Sequence, residues 1–518
     1  MLLFAQTMPA LGERSLWFSD EVRYAAAFKN VLNGHWLVLH LNDAMYPDKP
    51  PVYFWLLWII SLFTGGALPE TFFAGAMISA MLYLHAVCRL ARCAAEASAD
   101  SVLLSGFILL STFYFAGLAQ YSRMDLLFAA LILESQTCFY LGTREDNPNA
   151  QVIVGFLLSA LATLTKGPLG LAFPALAIGL FLAWRGRLRR MLGLDFHAGG
   201  LLLLSILGAW ALGAYLTEGP AYLDNIFDKQ IYQRALRSWH HDQPWWHYFA
   251  TLPLVWLPYT LLLAFAPWKR ILRIQYLNEM RSIRQAPNGK AFLWVALVSQ
   301  FALLSSIQTK IVIYALPLFA PAAILAALAL GSLPPASSRR FFGIAAGVMI
   351  IPALAVPAFA VFSPWPVPIR GAWLVSACLA LTAMTAWLLR GEGPRIVVLA
   401  LALGVTLTLL PLGRLTLPSL DAVMSPKAQA LAMKDYVTRG YAPAAFDIYA
   451  GIYEYYAGSA YMESDDEKKL EQFLASNSKA VVAFKKKIFV KMQDRLPRMR
   501  VVHEQWIVDQ PYVLAIKD

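Results

Sequence analysis

The sequence predicts a polytopic α-helical membrane protein that ends in a small α/β domain. Three observations point there. Only 14% of the 518 residues are charged and 58% are hydrophobic, against about 25% charged in soluble domains. Apolar runs long enough to cross a bilayer as helices recur as far as Leu412. Beyond about residue 413 the pattern changes to short alternating helical and strand-like stretches.

The apolar runs predict membrane helices at 69–91, 99–119, 125–142, 150–165, 168–184, 198–217, 248–267, 291–307, 311–331, 341–362, 371–390 and 395–412. Basic residues gather after alternate runs: Arg89 and Arg92, Arg144, RGRLRR at 185–190, KRILR from Lys269, Arg339 and Arg340, Arg390 and Arg395. Positively charged loops stay cytoplasmic. The opposite side then holds 13–68, 120–124, Lys166, 218–247, 308–310, 363–370 and everything after about 413. One assignment satisfies every loop. It divides the chain into a transmembrane unit over 1–412, whose outward loops 13–68 and 218–247 form its site, and an outward domain over 413–518. The net charge of +11 therefore encodes topology and not nucleic-acid contact. Cys88, Cys93, Cys138 and Cys378 lie within or at the ends of apolar segments, so no disulfide framework is expected.

Residues 1–12 are apolar but too short to span, and lack the basic start of a signal peptide. They read either as the remnant of a first membrane helix, making thirteen with a cytoplasmic N-terminus, or as a membrane-skimming segment. The stretch PVYFWLLWIISLFTG at 51–65, bounded by prolines and Gly65-Gly66, reads as an interfacial helix. In the tail, helices are expected at 425–438 and 465–476, with strands at 479–484 and 512–517. There is no internal repeat.

The chemistry-bearing residues lie at the outward ends. Ser19 can cap a helix that opens with Asp20 and Glu21, followed by Arg23 and an apolar stripe of Tyr24, Phe28, Val31 and Leu32. That stripe predicts a helix along the membrane surface. The two acids either complement the helix dipole or act in a site. Lys49 stands between Asp48 and Pro50-Pro51, whose stiff backbone holds it in place. It is either a phosphate ligand or a snorkelling interfacial lysine. Asp125 in YSRMDLLFAA is an N-cap or a partner for Asp20, and Lys166 and Lys310 sit in tight outward turns. The loop DKQIYQRALRSWHHDQPWWHY at 228–248 either anchors at the interface through its aromatics or offers Arg234 or Arg237 to a phosphate and His241 to a metal. No HExxH, Cys/His set, GxGxxG, Walker motif or nucleophile elbow is present.

Taken in order, DEVRYA, YPDKPPVYFW, MDLLFA, LTKGPLGLAFPAL, HHDQPWWHY and TKIVIYALP resemble the polyprenyl-phosphate-sugar transferases of GT-C architecture. These include the bacterial aminoarabinose (lipid A) transferases and their protein O-mannosyltransferase-like relatives. The resemblance covers roughly residues 13–330. It implies a GT-C-like fold of about twelve or thirteen membrane helices plus interfacial helices. It further implies Asp20 and Asp125 as functional carboxylates, with Glu21 beside them, and Lys49 on the lipid phosphate. Lys310 and Tyr314 resemble the Lys and Tyr near that phosphate, which Arg23 and Arg234 join as candidates. Asp48 and His241 resemble a pair associated with a divalent metal, zinc or magnesium/manganese. Two departures stand out. Asp48 occupies a position usually held by Glu, and TKIVIY lacks the KGKLPTY pattern of the nearest transferases, so sugar and acceptor are not carried over.

The implied reaction moves a sugar from polyprenyl (undecaprenyl) phosphate to an outward acceptor: lipid A-type, glycan or protein. Membrane lipid is a further partner, nucleic acid is not expected, and no nucleotide cofactor is needed. The implied location is the bacterial cytoplasmic (inner) membrane, with the site and the C-terminal domain on the periplasmic side. A hydroxyl acceptor would make Asp20 a general base. A phosphate acceptor needs no base, and Asp20 or Asp125 would then orient the sugar. The rival class, a lipid or solute transporter or flippase, predicts mid-membrane charges and inverted repeats; here the charges cluster at helix ends. A scaffold leaves that clustering unexplained.

Overall fold

The apolar runs fold as helices and the tail as a mixed sheet. The computed structural model describes residues 1–94, 97–144, 150–226, 243–268, 289–496 and 498–518. Among these, six helices are long and apolar enough to cross a membrane: Pro69–Cys93, Leu194–Glu218, Gly289–Ser306, Val312–Ser332, Pro335–Phe362 and Pro394–Ser419. The count is below the twelve expected for two reasons. Several spans are shorter, such as Ala150–Lys166, Leu169–Trp184 and Ala372–Leu388, or, like Asp125–Gly142, long enough but less apolar, and two are interrupted. The run expected at 99–119 breaks at Ser111-Thr112 into Ala99–Leu110 and Phe113–Leu118. The run expected at 248–267 folds as His247–Val255 and Tyr259–Phe265, bent by 106°. A seventh span results if the bent pair is counted as one. Pro253 and Pro258 lie at that bend, where a proline removes a helix donor and clashes with the preceding turn.

The helix Asp125–Gly142 is central. It is buried along nearly all its length and packs against Ala150–Lys166, Pro69–Ala94, Leu169–Trp184 and Leu316–Ser332. Its first residue, Asp125, is therefore delivered into the bundle at one end. The interfacial helix expected at 51–65 is Val52–Thr64, closed by Gly65 in the left-handed conformation (φ 88°), which glycine adopts without a Cβ penalty. Residues Leu2–Thr7 form a short helix whose buried Gln6 donates from Nε2 to the Leu110 carbonyl at 2.8 Å.

The helix Asp20–Leu32 differs from the surface helix its stripe predicts. Glu21 through Phe28 are all buried, because the C-terminal domain covers the face that would have met solvent. Ser19 makes no side-chain capping bond. Glu21 instead accepts from the Trp17 amide at 2.9 Å, satisfying a donor just ahead of the helix.

After this helix come a two-strand hairpin, β1 (His40–Leu41) and β2 (Ala44–Met45), then the membrane helices, then a five-stranded sheet. Its strands are β3 (Ala442–Phe446), β4 (Met462–Ser464), β5 (Ala480–Lys485), β6 (Arg500–Ile507) and β7 (Gln510–Lys517). Their order is β4-β3-β5-β7-β6, parallel around β3 and antiparallel around β7. The central β5 and β7 read AVVAFK and QPYVLAIK, near-continuous apolar runs that suit strands buried on both faces. The domain docks on residues 15–46: Asp421 takes the Trp17 indole N–H at 2.7 Å, Tyr456 takes the Leu16 amide at 2.8 Å, and Lys29 donates to the Tyr455 carbonyl at 2.7 Å.

Candidate active site

Two segments far apart in sequence are locked together. Glu21 is fully buried and receives Arg14 through both guanidinium nitrogens at 2.7 and 2.8 Å. Its carboxylate also accepts the Ser122 amide at 2.8 Å, while Arg14 donates to the Gln120 carbonyl at 3.0 Å. The turn preceding the Asp125 helix is thereby pinned to the start of the Asp20 helix. Directly beside that brace, Arg123 places Nη2 2.7 Å from Asp20 Oδ2 and Nε 3.2 Å from Asp125 Oδ2. Lys166 closes the row with an ion pair to the other oxygen of Asp125. Lys166 ends its helix at Gly167, whose φ of 96° belongs to glycine and makes the turn into Pro168.

Arg123 is the hub. Burial would lower its basicity, but Asp20, Tyr24, Tyr121 and Tyr314 around it more than offset this and raise it, so it stays a fixed cation. Burial also acts against Arg23, and Tyr46, Tyr449, Asp20 and Asp48 outweigh it. Arg23 lies between two rings, 5.0 Å from Tyr46 and 4.5 Å from Tyr449. Tyr449 belongs to the C-terminal domain, which thus supplies part of the wall. Lys166 Nζ stands 4.4 Å over the Tyr314 ring and within electrostatic reach of Lys49.

The structure thus gathers Asp20, Arg23, Lys49, Asp125 and Tyr314. Two expected residues sit differently. The Glu21 carboxylate is filled by four donors and faces no open space. Lys310 is buried and donates to the Gln243 carbonyl at 2.8 Å. Arg234 and His241 lie outside the described residues, so the pairing of Asp48 with His241 is not described. Among the described residues, the group with metal-ligand chemistry is His35, His40 and Glu218. Sequence reasoning missed Arg123, and it noted Lys166 in its tight turn without giving it a role. The available signal was a cation in a short turn, two residues before Asp125 in YSRMD and at a helix end in LTKGP.

An apolar cavity of about 620 Å³ is lined by Tyr248, Trp256, Phe301, Leu318 and Phe319 among others. It forms where the bent pair 247–265 leaves the helices Gly289–Ser306 and Leu316–Ser332. Tyr248 and Tyr314 pack in one cluster with Phe128 and Leu318. The apolar cavity is thereby continuous in packing with the ring that faces Lys166.

The family described as "Dolichyl-phosphate-mannose-protein mannosyltransferase" matches residues 48–211. The undecaprenyl phosphate-alpha-4-amino-4-deoxy-L-arabinose arabinosyl transferase of Aeromonas salmonicida is 30% identical over 68% of this chain and 64% of its own length. That of Shewanella sediminis is 29% identical over 72% of this chain and 69% of its own. The first match spans less than two thirds of the relative. ArnT from Cupriavidus metallidurans, a crystal structure with undecaprenyl phosphate bound, superposes with a TM-score of 0.78 at 20% identity, covering 99% of this chain and 96% of that one. This last likeness establishes the fold across almost the whole chain. Motif order, relatives and architecture agree: the chain is similar to these arabinosyl transferases and has the fold of the ArnT structure.

Proposed function

We propose that this chain moves a sugar from undecaprenyl phosphate to an acceptor at the periplasmic face of a bacterial inner membrane. The names of the relatives support 4-amino-4-deoxy-L-arabinose or a related sugar as donor, with a lipid A-type acceptor as the first to assay. The observation that carries the reading is the row Asp20–Arg123–Asp125–Lys166, set at helix ends and joined through Tyr314 to an apolar cavity. A lipid-linked anionic donor needs both halves: fixed cations for its phosphate and an apolar place for its chain.

In the reaction the bond from the anomeric carbon to the phosphate oxygen breaks, and its electron pair goes to the phosphate. The acceptor oxygen forms the new bond. Charge on the departing phosphate grows in the transition state, so preorganised cations stabilise it there more than in the ground state. Arg123 and Lys49 are the cations for this work, and Asp125 orients Arg123 and Lys166. The Asp125 side chain is 2% exposed and that of Asp20 17%. Asp20 is accordingly the carboxylate that meets substrate: a base if the acceptor is a hydroxyl, an orienting group if it is a phosphate. Glu21 acts as a brace. A divalent metal at Asp48 and His241 stays a proposal from the family resemblance, and no step here depends on it.

The test is transfer in proteoliposomes from radiolabelled undecaprenyl-phosphate sugar, wild type against Asp20→Asn, with envelope lipid extract as acceptor pool. Label should reach an acceptor with wild type and not with the variant. Folded wild type that releases no sugar from any lipid-linked donor would refute the reading.

A further inference from the structure

Away from the Asp20–Arg123 row, His35, His40 and Glu218 each bring one ligand atom within 4.8 Å of the others. His40 Nε2 is 3.4 Å from Glu218 Oε1, and the His35 and His40 rings have centroids 4.0 Å apart. His40 Nδ1 lies 3.2 Å from the Val38 carbonyl. Only a protonated Nδ1 can donate there, which leaves Nε2 as the ring atom that faces Glu218 and can ligate a metal. His40 is buried, Glu218 half-buried, and His35 exposed, so His35 can close the remaining gap by side-chain rotation.

The separation of 3.4 Å between His40 and Glu218 is long for a hydrogen bond. It matches the edge of a zinc tetrahedron, where two ligands at about 2.0–2.1 Å from the ion stand roughly 3.3 Å apart. Glu218 adds an independent argument. It is the last residue of the 25-residue helix Leu194–Glu218, and no basic residue occupies that last turn. The negative end of the helix dipole and its unpaired carbonyls collect there. A carboxylate in that place is disfavoured unless a cation sits beside it.

The geometry points to a site for a divalent transition metal of zinc type, held by His35, His40 and Glu218 with a fourth position open to water or another ligand. Two imidazoles with one carboxylate select zinc-like ions over magnesium or calcium, which take oxygen ligands. The ion ties the end of a helix that is only 17% buried to the loop entering β1. The His40 carbonyl accepts from Asn30 Nδ2 at 2.9 Å, so the clamp passes to the helix that begins at Asp20. This site uses neither Asp48 nor His241 as a ligand, and its existence does not depend on the transfer reading.

The test uses the tag-free full-length chain in detergent, stripped with chelator and titrated with zinc and with cobalt(II). Wild type should bind zinc at these residues, show the visible bands of a low-coordinate cobalt site, and melt at a higher temperature with zinc than without. Affinity should fall about 100-fold or more in His40→Ala and Glu218→Gln and persist in Asp48→Asn. His35→Ala alters an exposed side chain and carries the test should a buried variant fail to fold. Three results overturn the proposal: no zinc bound by folded wild type, affinity unchanged in folded His35→Ala and Glu218→Gln, or affinity lost in Asp48→Asn alone. The second is the result expected of a plain His40–Glu218 ion pair.

Discussion

Arg123 Nη2 lies 2.7 Å from Asp20 Oδ2, joining residues 103 positions apart. The adjacent Glu21 and Ser122 form a second rung at 2.8 Å. The two contacts do different work. The buried rung sets the spacing of the two segments, and the more exposed rung presents charge to a substrate.

Replacing Arg123 should abolish turnover without unfolding the protein. Arg123→Lys keeps the charge but loses the planar fork that reaches two carboxylates. Initial rates in proteoliposomes should drop about 100-fold or more, with unchanged size-exclusion elution. A rate near that of wild type would remove Arg123 from the site.

Tyr314 should matter for its ring and not its hydroxyl. Its face receives Lys166 at 4.4 Å, and a desolvated cation–π contact contributes about 2 kcal/mol. Tyr314→Phe should therefore transfer within a few-fold of wild type, and Tyr314→Leu about 10-fold or more slower. Equal losses in both variants would point to the hydroxyl instead.

The Arg14–Glu21 brace should act on stability. Arg14→Met strands a fully buried carboxylate, at a cost of about 3–5 kcal/mol. A double-mutant cycle with Glu21→Gln in denaturant-titrated detergent micelles should show strong coupling, since each change removes the same contact. Additive effects of the two single changes would contradict the brace.

Glu454 predicts a pH dependence. Burial raises its carboxyl above the ordinary 4.5, against hydrogen bonds from Asn42 and Asn30. The folded state then holds this proton more tightly than the unfolded chain. The stability it contributes is present below the unfolded value and lost as pH rises through the raised folded value. The melting temperature of wild type relative to Glu454→Gln should therefore fall as pH rises above the ordinary carboxyl value of 4.5. Parallel pH curves for the two proteins would rule this out.

Much was legible because it depends on local composition. Apolar runs and basic loops mark membrane helices through the cost of burying bare backbone and charge in lipid. The tail's helices at Lys427–Thr438 and Glu467–Ser476 and strands at Ala480–Lys485 and Gln510–Lys517 fall within a few residues of expectation. Asp20, Lys49 and Asp125 stood out as ionisable residues in an apolar chain. The break at Ser111-Thr112 and the 106° bend at 256–258 were not legible, since a hydropathy run carries no record of direction.

By itself, then, the sequence determined a membrane-embedded helical chain with a small α/β tail and a set of charges at helix ends, because hydropathy and charge act residue by residue. Only the tertiary structure decided which of those charges meet. It turned Glu21 inward to Arg14, made Arg123 the hub between two carboxylates, drew Lys310 to the Gln243 carbonyl, and laid Tyr449 of the tail against Arg23. The physical reason is distance. An ion pair is strong only within a few ångströms and in low dielectric, and both conditions are set by how the segments pack, whether they lie a few or several hundred residues apart in sequence.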